Sequence, residues 1–545
     1  MNSERNPSPN VPRPQASLLR TFRADRKRPP LHPLERAVLT ALCVHLCFLP
    51  WALGTMTAWS QLTSLGLAAV GFALALIPRT FSGDAAMPAA GGQLPVAGHP
   101  LPVGGRREGH FGPNNPQPST DNRGTVAYRL VPLRRLTRFP LFWIGLVLLA
   151  YIAVQGFNPS WLWERNEKFW WLRRVNDIPW LPTSVDAPFA RFNLWSQVII
   201  YASVWLTLCT VWIGFTRHRA LKLLLQVLAA NGLLLTLTGF VIRMIRPPQF
   251  LLWFKEPLTG VMSFASFIYK NHAGAYLSLV AVVMVTLAAI DHLRSLRKMD
   301  RSSPAVLHVL GAAVVFLAVV FTYSRGATAL LAAFFLVSLG IYATYRLLSR
   351  TGSTTHPLVP LSVGLLVLVG LGFSASRLDY RKVEARFDLL LQAKIKDVSY
   401  LQREKAHLAS MAMLADHWQR GVGAGAFSYL YPEYAKRYPE IYQGGKLFWE
   451  HAHNDWLEIP IELGAAGSLL LLFAGGWLLL GFIRLLSSAI RRQSSDWLPS
   501  LLLSLGLGLT LVHATFDFPF QNPAVLVTWC ALLMVALRRL ELGAG

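Results

Sequence analysis

Two histidines, an asparagine and several carboxylates stand together in the stretch WEHAHNDWLEIPIELGAAG, which covers residues 449–467. The stretch runs directly into the apolar sequence SLLLLFAGGWLLLGFI. A neutral imidazole, such as that of His453, can accept the proton of an attacking hydroxyl group. General base catalysis is therefore one chemistry that this stretch predicts.

Two other interpretations of these residues stay open. HAHND fits the pattern H-x-H-x-D with which some hydrolases bind zinc, but Trp456 follows Asp455 where a further histidine would be needed. We therefore predict no metal site. The stretch also fits a helix start with Asn454 or Asp455 as the N-cap residue, and spacing alone does not decide between a base and a helix start. Glu462 follows two turns later, and we expect it to face a cavity, because a carboxylate at membrane depth needs a partner or water.

Three further polar clusters lie at the ends of apolar runs, and Arg325 in TYSRGATA is the most informative. An arginine at membrane depth costs about 2.5–3.5 kcal/mol on insertion scales, so it usually faces a protein cavity or an anion. The alternative is a side chain that extends back to the lipid headgroups. Ser324 and Gly326 complete this turn, where glycine permits close backbone approach. The other clusters are RMIRPPQF, with Arg243 and Arg246, and FIYKNHAGAYL, with Lys270, Asn271 and His272.

The composition indicates that membrane helices hold these clusters. The chain has 545 residues, of which 53% are hydrophobic and only 15% are charged, and its mean hydropathy is +0.39. Apolar runs of about 17–25 residues recur, which is the length that crosses a bilayer as helix. The net charge of +24 lies mostly in short connections between these runs, which is the positive-inside pattern and argues against nucleic acid binding. The four cysteines all lie in apolar runs and offer no disulfide framework.

We predict twelve transmembrane spans, with the N-terminus in the cytoplasm and no signal peptide. The spans lie at about 37–58, 62–78, 139–157, 193–215, 220–242, 273–290, 305–322, 327–347, 358–374, 456–483, 498–514 and 523–537. The predicted domains are a basic cytoplasmic N-terminus (1–36), two membrane helices (37–78), a disordered Gly/Pro-rich cytoplasmic linker (79–138), membrane helices 3–9 (139–374), a large periplasmic loop (375–455), and membrane helices 10–12 with a short C-terminus (456–545).

The large loop contains a predicted amphipathic helix, LQREKAHLASMAMLADHWQR, followed by a GVGAG turn and a tyrosine-rich run. The tyrosines favour a membrane interface or a surface that stacks on sugars. One face of the helix is apolar and comprises Leu401, Leu408, Met411, Leu414 and Trp418, while Arg403, His407, Ser410 and His417 line another.

Four segments together resemble the O-antigen ligase superfamily, the polytopic enzymes that include lipopolysaccharide O-antigen ligases and related polymerases. HNDWLEIPIELGAAG resembles the family signature, and FIYKNHAGAYL, TYSRGATALL and REKAHLASMAMLADHWQRGVGAGAF resemble other family segments in the same order. The resemblance covers roughly residues 190–535 and leaves out the first two spans and the linker.

The resemblance implies an all-α integral membrane fold with about twelve transmembrane helices, one large periplasmic helical loop and a GT-C-like glycosyltransferase architecture. It implies transfer of a glycan from undecaprenyl diphosphate to an acceptor hydroxyl on the periplasmic side of the inner membrane, without metal or cofactor. The essential family histidine matches His453, and the two important arginines match Arg325 and Arg403. The remaining predicted substrate-binding residues are Arg243, Arg246, Lys270, Asn271, His272, His451, Asn454 and Glu462.

These roles fit the chemistry, because arginines can hold diphosphate oxygens through paired N–H donors while a histidine deprotonates the acceptor. Direct displacement would invert the anomeric carbon. The acceptor stays open between lipid A-core, a growing polysaccharide and a protein side chain. A transporter or flippase is the alternative from another class, since intramembrane charges suit it as well.

Overall fold

The structure is a computed structural model, and it describes residues 30–81, 119–120, 126–189, 192–245, 263–298, 302–348, 398–446 and 448–544. Within these ranges the chain is mostly helical, as the sequence predicts. The helices are α1 (Pro33–Trp51), α2 (Ala58–Leu76), α3 (Pro132–Thr137), α4 (Pro140–Phe157), α5 (Leu194–Gly214), α6 (His218–Ile245), α7 (Lys270–Lys298), α8 (Ala305–Phe321), α9 (Arg325–Leu348), α10 (Val398–His417), α11 (Phe427–Ala435), α12 (Pro439–Tyr442), α13 (Asp455–Arg491), α14 (Trp497–His513) and α15 (Pro523–Ala544).

Eight of the described helices, namely α1, α2, α4 to α7, α9 and α13, are long and apolar enough to cross a membrane. The protein is therefore a multi-pass membrane protein. The shorter apolar helices α8 and α14, together with α15, coincide with three more predicted spans. The predicted span at 358–374 lies outside the described residues, so the count of twelve stays a prediction.

Helix α7 forms the centre of the bundle. Of its most apolar window, 78% is buried, and it packs against α6, α8 and α14. Helix α13 lies at the periphery, since none of its most apolar window is buried. Because water is absent from a bilayer core, such an apolar helix is stable there even where protein does not cover it.

A smaller unit, the loop domain, packs on one end of the bundle and comprises residues 158–189, 398–446 and 448–453. It contains α10 to α12 and the strands β4 (Pro159–Arg165), β5 (Trp170–Arg174) and β6 (Ser184–Asp186), which form a sheet with the order β5-β4-β6. A separate hydrophobic cluster fills it, with Phe427, Tyr431 and Ile441 fully buried.

The apolar face of the predicted loop helix is not the face that packs on α11. Leu408, Met411 and Trp418 are 40%, 56% and 52% exposed. The face that packs on α11 instead contains small residues, such as Ala406, whose carbonyl accepts a hydrogen bond from the Tyr431 hydroxyl at 3.2 Å. Small side chains let the two helices approach closely.

The prediction of a disordered linker at 79–138 was wrong at both ends. Strand β1 (Arg79–Phe81) pairs with β3 (Val126–Leu130), which also pairs with β2 (Ser119–Thr120), and α3 follows directly. The buried Arg79 side chain donates a hydrogen bond to the carbonyl of Gly214 at 2.6 Å. Cations near the C-terminus of a helix are stabilising, and here the interaction fixes the start of the segment on α5.

Candidate functional site

The short connection between α14 and α15 is the centre of the site. The ring of Phe518 stacks on Tyr269, with centroids 5.2 Å apart, and on His451, at 4.5 Å. The rings of His272 and His453 meet it edge-on, at 5.0 Å and 4.7 Å. Residues from the start of α7 and from the start of α13 are therefore brought together around one aromatic side chain.

Asp517, the neighbour of Phe518, connects the polar groups of the site. The Asn271 amide donates a hydrogen bond to its Oδ2. The His453 Nδ1 lies 3.7 Å from its Oδ1, and the His513 Nε2 lies 3.9 Å from its Oδ2. Asp517 is only 3% exposed, so these groups replace water around its charge.

The electrostatics of this pair favour a neutral imidazole beside an ionised carboxylate. Burial lowers the pKa of His453, an effect that Asp517 opposes and the charge of Arg403 reinforces. Burial alone would raise the pKa of Asp517, but His453, His513 and Arg403 outweigh it and lower that pKa to about 2. A neutral imidazole near a fixed carboxylate is the form that a general base requires.

His453 occupies an unusual backbone position. Its φ is +53°, in the left-handed region that non-glycine residues rarely adopt. Its carbonyl accepts a hydrogen bond from the His407 Nε2 at 3.4 Å. The next residue, Asn454, is the N-cap of α13 and accepts a hydrogen bond from the Trp456 backbone N–H at 3.0 Å. Asn454 thus has the capping function that the helix-start interpretation expects.

Both predicted catalytic arginines belong to segments that contact Phe516. Arg403, on α10, donates a hydrogen bond to the Phe516 carbonyl at 3.1 Å. Arg325 is exposed at the first position of α9, and the adjacent Gly326 lies against the Phe516 ring, only 2.4 Å from where a Cβ would stand. Arg325, Arg403 and His453 therefore all lie next to the 516–518 segment.

The remaining predicted residues differ in their placement. Arg243 donates a hydrogen bond to the Phe321 carbonyl at 2.7 Å and lies over the Tyr323 ring, next to the Ser-Arg-Gly turn. Lys270 is the first residue of α7, and Arg246 lies outside the described residues. Glu462 is 7% exposed and lines a cavity wide enough for a water molecule.

A break in α13 fastens the loop domain to the bundle. Gly464 has a φ of +63° and a ψ of −169°, which interrupts the helix. The carbonyls of Ile461 and Glu462 accept hydrogen bonds from the backbone N–H groups of Val422 (2.9 Å) and Gly423 (3.0 Å). The predicted GVGAG turn is thus bound to the predicted helix through backbone hydrogen bonds.

The HAHND residues do not converge as metal ligands. His451 Nδ1 pairs with Glu458 at 2.6 Å, and the Asp455 Oδ2 accepts the Phe520 backbone N–H at 3.0 Å. In the described part of the chain, no group of three His, Cys, Asp or Glu residues is arranged to hold a metal ion.

The family model described as O-Antigen ligase matches residues 310–472. This match supports a relationship of the chain to the O-antigen ligase superfamily over these residues. The match includes Arg325, Arg403 and His453, and it ends before Asp517. The family implies a glycosyltransferase-like ligase or polymerase with polysaccharide or lipid-linked substrates. A search of curated proteins found no match to the chain.

Three residues of this candidate site escaped the sequence analysis: Asp517, Phe518 and Glu458. The segment HATFDFPFQNP did carry a signal, because a histidine and an aspartate lie at the start of a short connection between two apolar runs. Glu458 lies inside the recognised signature, but only the structure shows that its carboxylate binds the preceding turn.

Proposed function

We propose that the protein is an inner-membrane glycosyltransferase of the O-antigen ligase type. It transfers a glycan from undecaprenyl diphosphate to an acceptor hydroxyl at the periplasmic face. The observation that carries the proposal is the placement of Arg325, Arg403 and His453 next to one segment, 516–518. The acceptor is lipid A-core or a growing polysaccharide; a polymerase or a protein O-oligosaccharyltransferase is the alternative within the family.

In the proposed reaction, His453 acts as the general base. Its Nδ1 faces Asp517, so Nε2 is the atom that takes the acceptor's hydroxyl proton. The acceptor oxygen then forms a bond to the anomeric carbon while the bond from that carbon to the diphosphate oxygen breaks. The electron pair leaves with undecaprenyl diphosphate, and the configuration inverts. Asp517 stabilises the imidazolium that forms, because an opposite charge close by favours the charged state.

The arginines would hold the diphosphate. Arg403 uses one N–H group on the Phe516 carbonyl, and the guanidinium has five N–H donors in all. Arg325 lies in the first turn of α9, where the helix dipole also favours an anion. Charges positioned in advance stabilise the negative charge that grows on the leaving group.

The basic residues at the other end of the bundle support the proposed orientation. They lie between α5 and α6, at the end of α7, and at or just after the end of α13, as Arg217, Arg297, Lys298, Arg491 and Arg492. Under the positive-inside rule this end faces the cytoplasm, so the site faces the periplasm.

A His453→Ala strain tests the proposal against a transporter or flippase. We expect glycan transfer to stop and the lipid-linked donor to accumulate on the periplasmic side. His308→Ala is the matched control and should retain transfer. The His308 imidazole lies 3.3 Å from Asp291 and away from this site. Accumulation of donor on the cytoplasmic side would show that export is the lost step and would refute the proposal.

Deletion of the gene identifies the acceptor. Loss of the lipopolysaccharide ladder indicates lipid A-core or O-antigen units, loss of free exopolysaccharide indicates a polymerase, and loss of pilin glycosylation indicates a protein acceptor. No change in any of these polymers would contradict the proposed function.

A further inference from the structure

One buried carboxylate, that of Glu458, holds the turn that carries His453. The Glu458 Oε1 lies 2.6 Å from the His451 Nδ1, and its Oε2 accepts the Ala452 backbone N–H at 2.7 Å. Both oxygens are thus engaged by the two residues that precede His453. Glu458 and His451 are 1% and 6% exposed, so water competes little with these bonds.

We propose that Glu458 is a positioning residue for the proposed glycosyl transfer. It acts through His451 and Ala452 to hold His453 in its reactive orientation. This inference rests on the proposed function, in which His453 is the base. Glu458, His451 and Ala452 then form a clamp on His453, and His451 is part of this clamp and not a residue that binds substrate.

The backbone of His453 explains why a clamp is needed. A non-glycine residue with positive φ is strained, and this conformation persists only where the surroundings enforce it. On the C-terminal side, the Asp455 N–H donates to the Ala514 carbonyl at 2.9 Å and Asn454 caps α13. On the N-terminal side, Glu458 supplies the corresponding restraint.

The same clamp fixes the aromatic contacts of the site. The Glu458 carboxylate accepts a hydrogen bond from His451 Nδ1, which sets the imidazole plane, and this plane stacks on Phe518 at 28°. Phe518 in turn meets the His453 ring edge-on. Loss of Glu458 would therefore loosen both the backbone and the aromatic neighbour of His453.

The experiment compares Glu458→Ala and Glu458→Gln in purified full-length protein, with the lipid-linked donor and the acceptor found by gene deletion. Displacement of a reacting group by 1 Å can cost about 100-fold in rate, so we expect kcat of Glu458→Ala to fall about 100-fold with KM for the donor nearly unchanged. Glu458→Gln keeps an oxygen that can accept the Ala452 N–H and should retain activity within about 10-fold. Glu433→Gln, at an exposed carboxylate, is the matched control and should behave as wild type.

A second readout needs no substrate. Diethyl pyrocarbonate modifies exposed imidazoles, and mass spectrometry measures the rate at each histidine. In Glu458→Ala we expect the modification rate of His453 to rise several-fold relative to that of His308. An unchanged His453 rate, with or without loss of kcat, would overturn the positioning role, as would a change in KM alone.

A double-mutant cycle separates this inference from the proposed function. If Glu458 acts only through His453, Glu458→Ala should not lower the residual rate of His453→Ala any further. Full activity of His453→Ala would refute the proposed base itself. Inactive His453→Ala together with fully active Glu458→Ala would refute the clamp alone.

Discussion

Replacement of Gly421 by alanine should separate the loop domain from the bundle. Gly421 has a φ of +72°, and an added Cβ would stand 2.3 Å from the Glu462 carbonyl oxygen and 2.7 Å from the Gly464 nitrogen. Both obstacles are backbone atoms, so a side-chain rotation cannot relieve the overlap. Gly444 provides the matched control, because its φ is +64° but no described atom lies within 4 Å of its Cβ position.

The expected difference follows from these geometries. The left-handed conformation costs alanine about 1–2 kcal/mol at either position. At Gly421 the chain must also move away from α13, which breaks the hydrogen bonds of Val422 and Gly423 at about 0.5–1.5 kcal/mol each. Gly421→Ala should therefore destabilise the protein by about 2–5 kcal/mol, and Gly444→Ala by about 1–2 kcal/mol.

Denaturant titration of both variants in nanodiscs, followed by tryptophan fluorescence, measures this difference, and glycan transfer is assayed in parallel. Gly421→Ala should lose both stability and transfer, while Gly444→Ala keeps transfer. Equal destabilisation by the two substitutions, or a stable and active Gly421→Ala, would show that the Gly421–Gly464 approach does not hold the loop domain.

The remaining predictions concern the site itself. Because burial lowers the pKa of His453, the acid limb of the pH–rate profile should lie below pH 6.5. Asp517→Asn removes a charge that raises this pKa, so the acid limb should shift to lower pH while kcat falls. Arg403→Gln removes a charge that lowers it, so the limb should shift to higher pH. Equal shifts of both variants in one direction would contradict the assignment of the limb to His453. Replacing Arg325 or Arg403 with lysine should lower transfer by about 100-fold, since a point charge loses the forked geometry, and near wild-type rates in both would count against diphosphate binding. EDTA should leave transfer unchanged, whereas loss of transfer that zinc restores would revive the H-x-H-x-D site.

The membrane helices could be predicted because their signal is local. Runs that are apolar on all sides identify themselves without knowledge of their neighbours. The arginines and His453 could be found in the same way, since each stands in a short, recognisable segment. Asp517 could not, because its partner Asn271 is 246 residues away and nothing in either segment indicates the other.

Local patterns also failed where packing depended on size. The apolar stripe of α10 is not the face that packs on α11, because small residues such as Ala406 and Ala409 let α11 approach. In the 79–138 linker, the low-complexity sequence did not indicate that Arg79, at its start, binds the end of α5. Both outcomes depend on which element lies opposite, and a single sequence does not specify that.

The break at Gly464 has a consequence for where the membrane begins. From Ala465 to Ile483, just before Arg484, α13 is apolar for about 28 Å, which matches a hydrocarbon core of about 30 Å. The interruption therefore coincides with the level of the lipid headgroups. The proposed chemistry would then take place just above the acyl chains, at the depth where a polyprenyl diphosphate keeps its charged group while its tail stays dissolved in lipid.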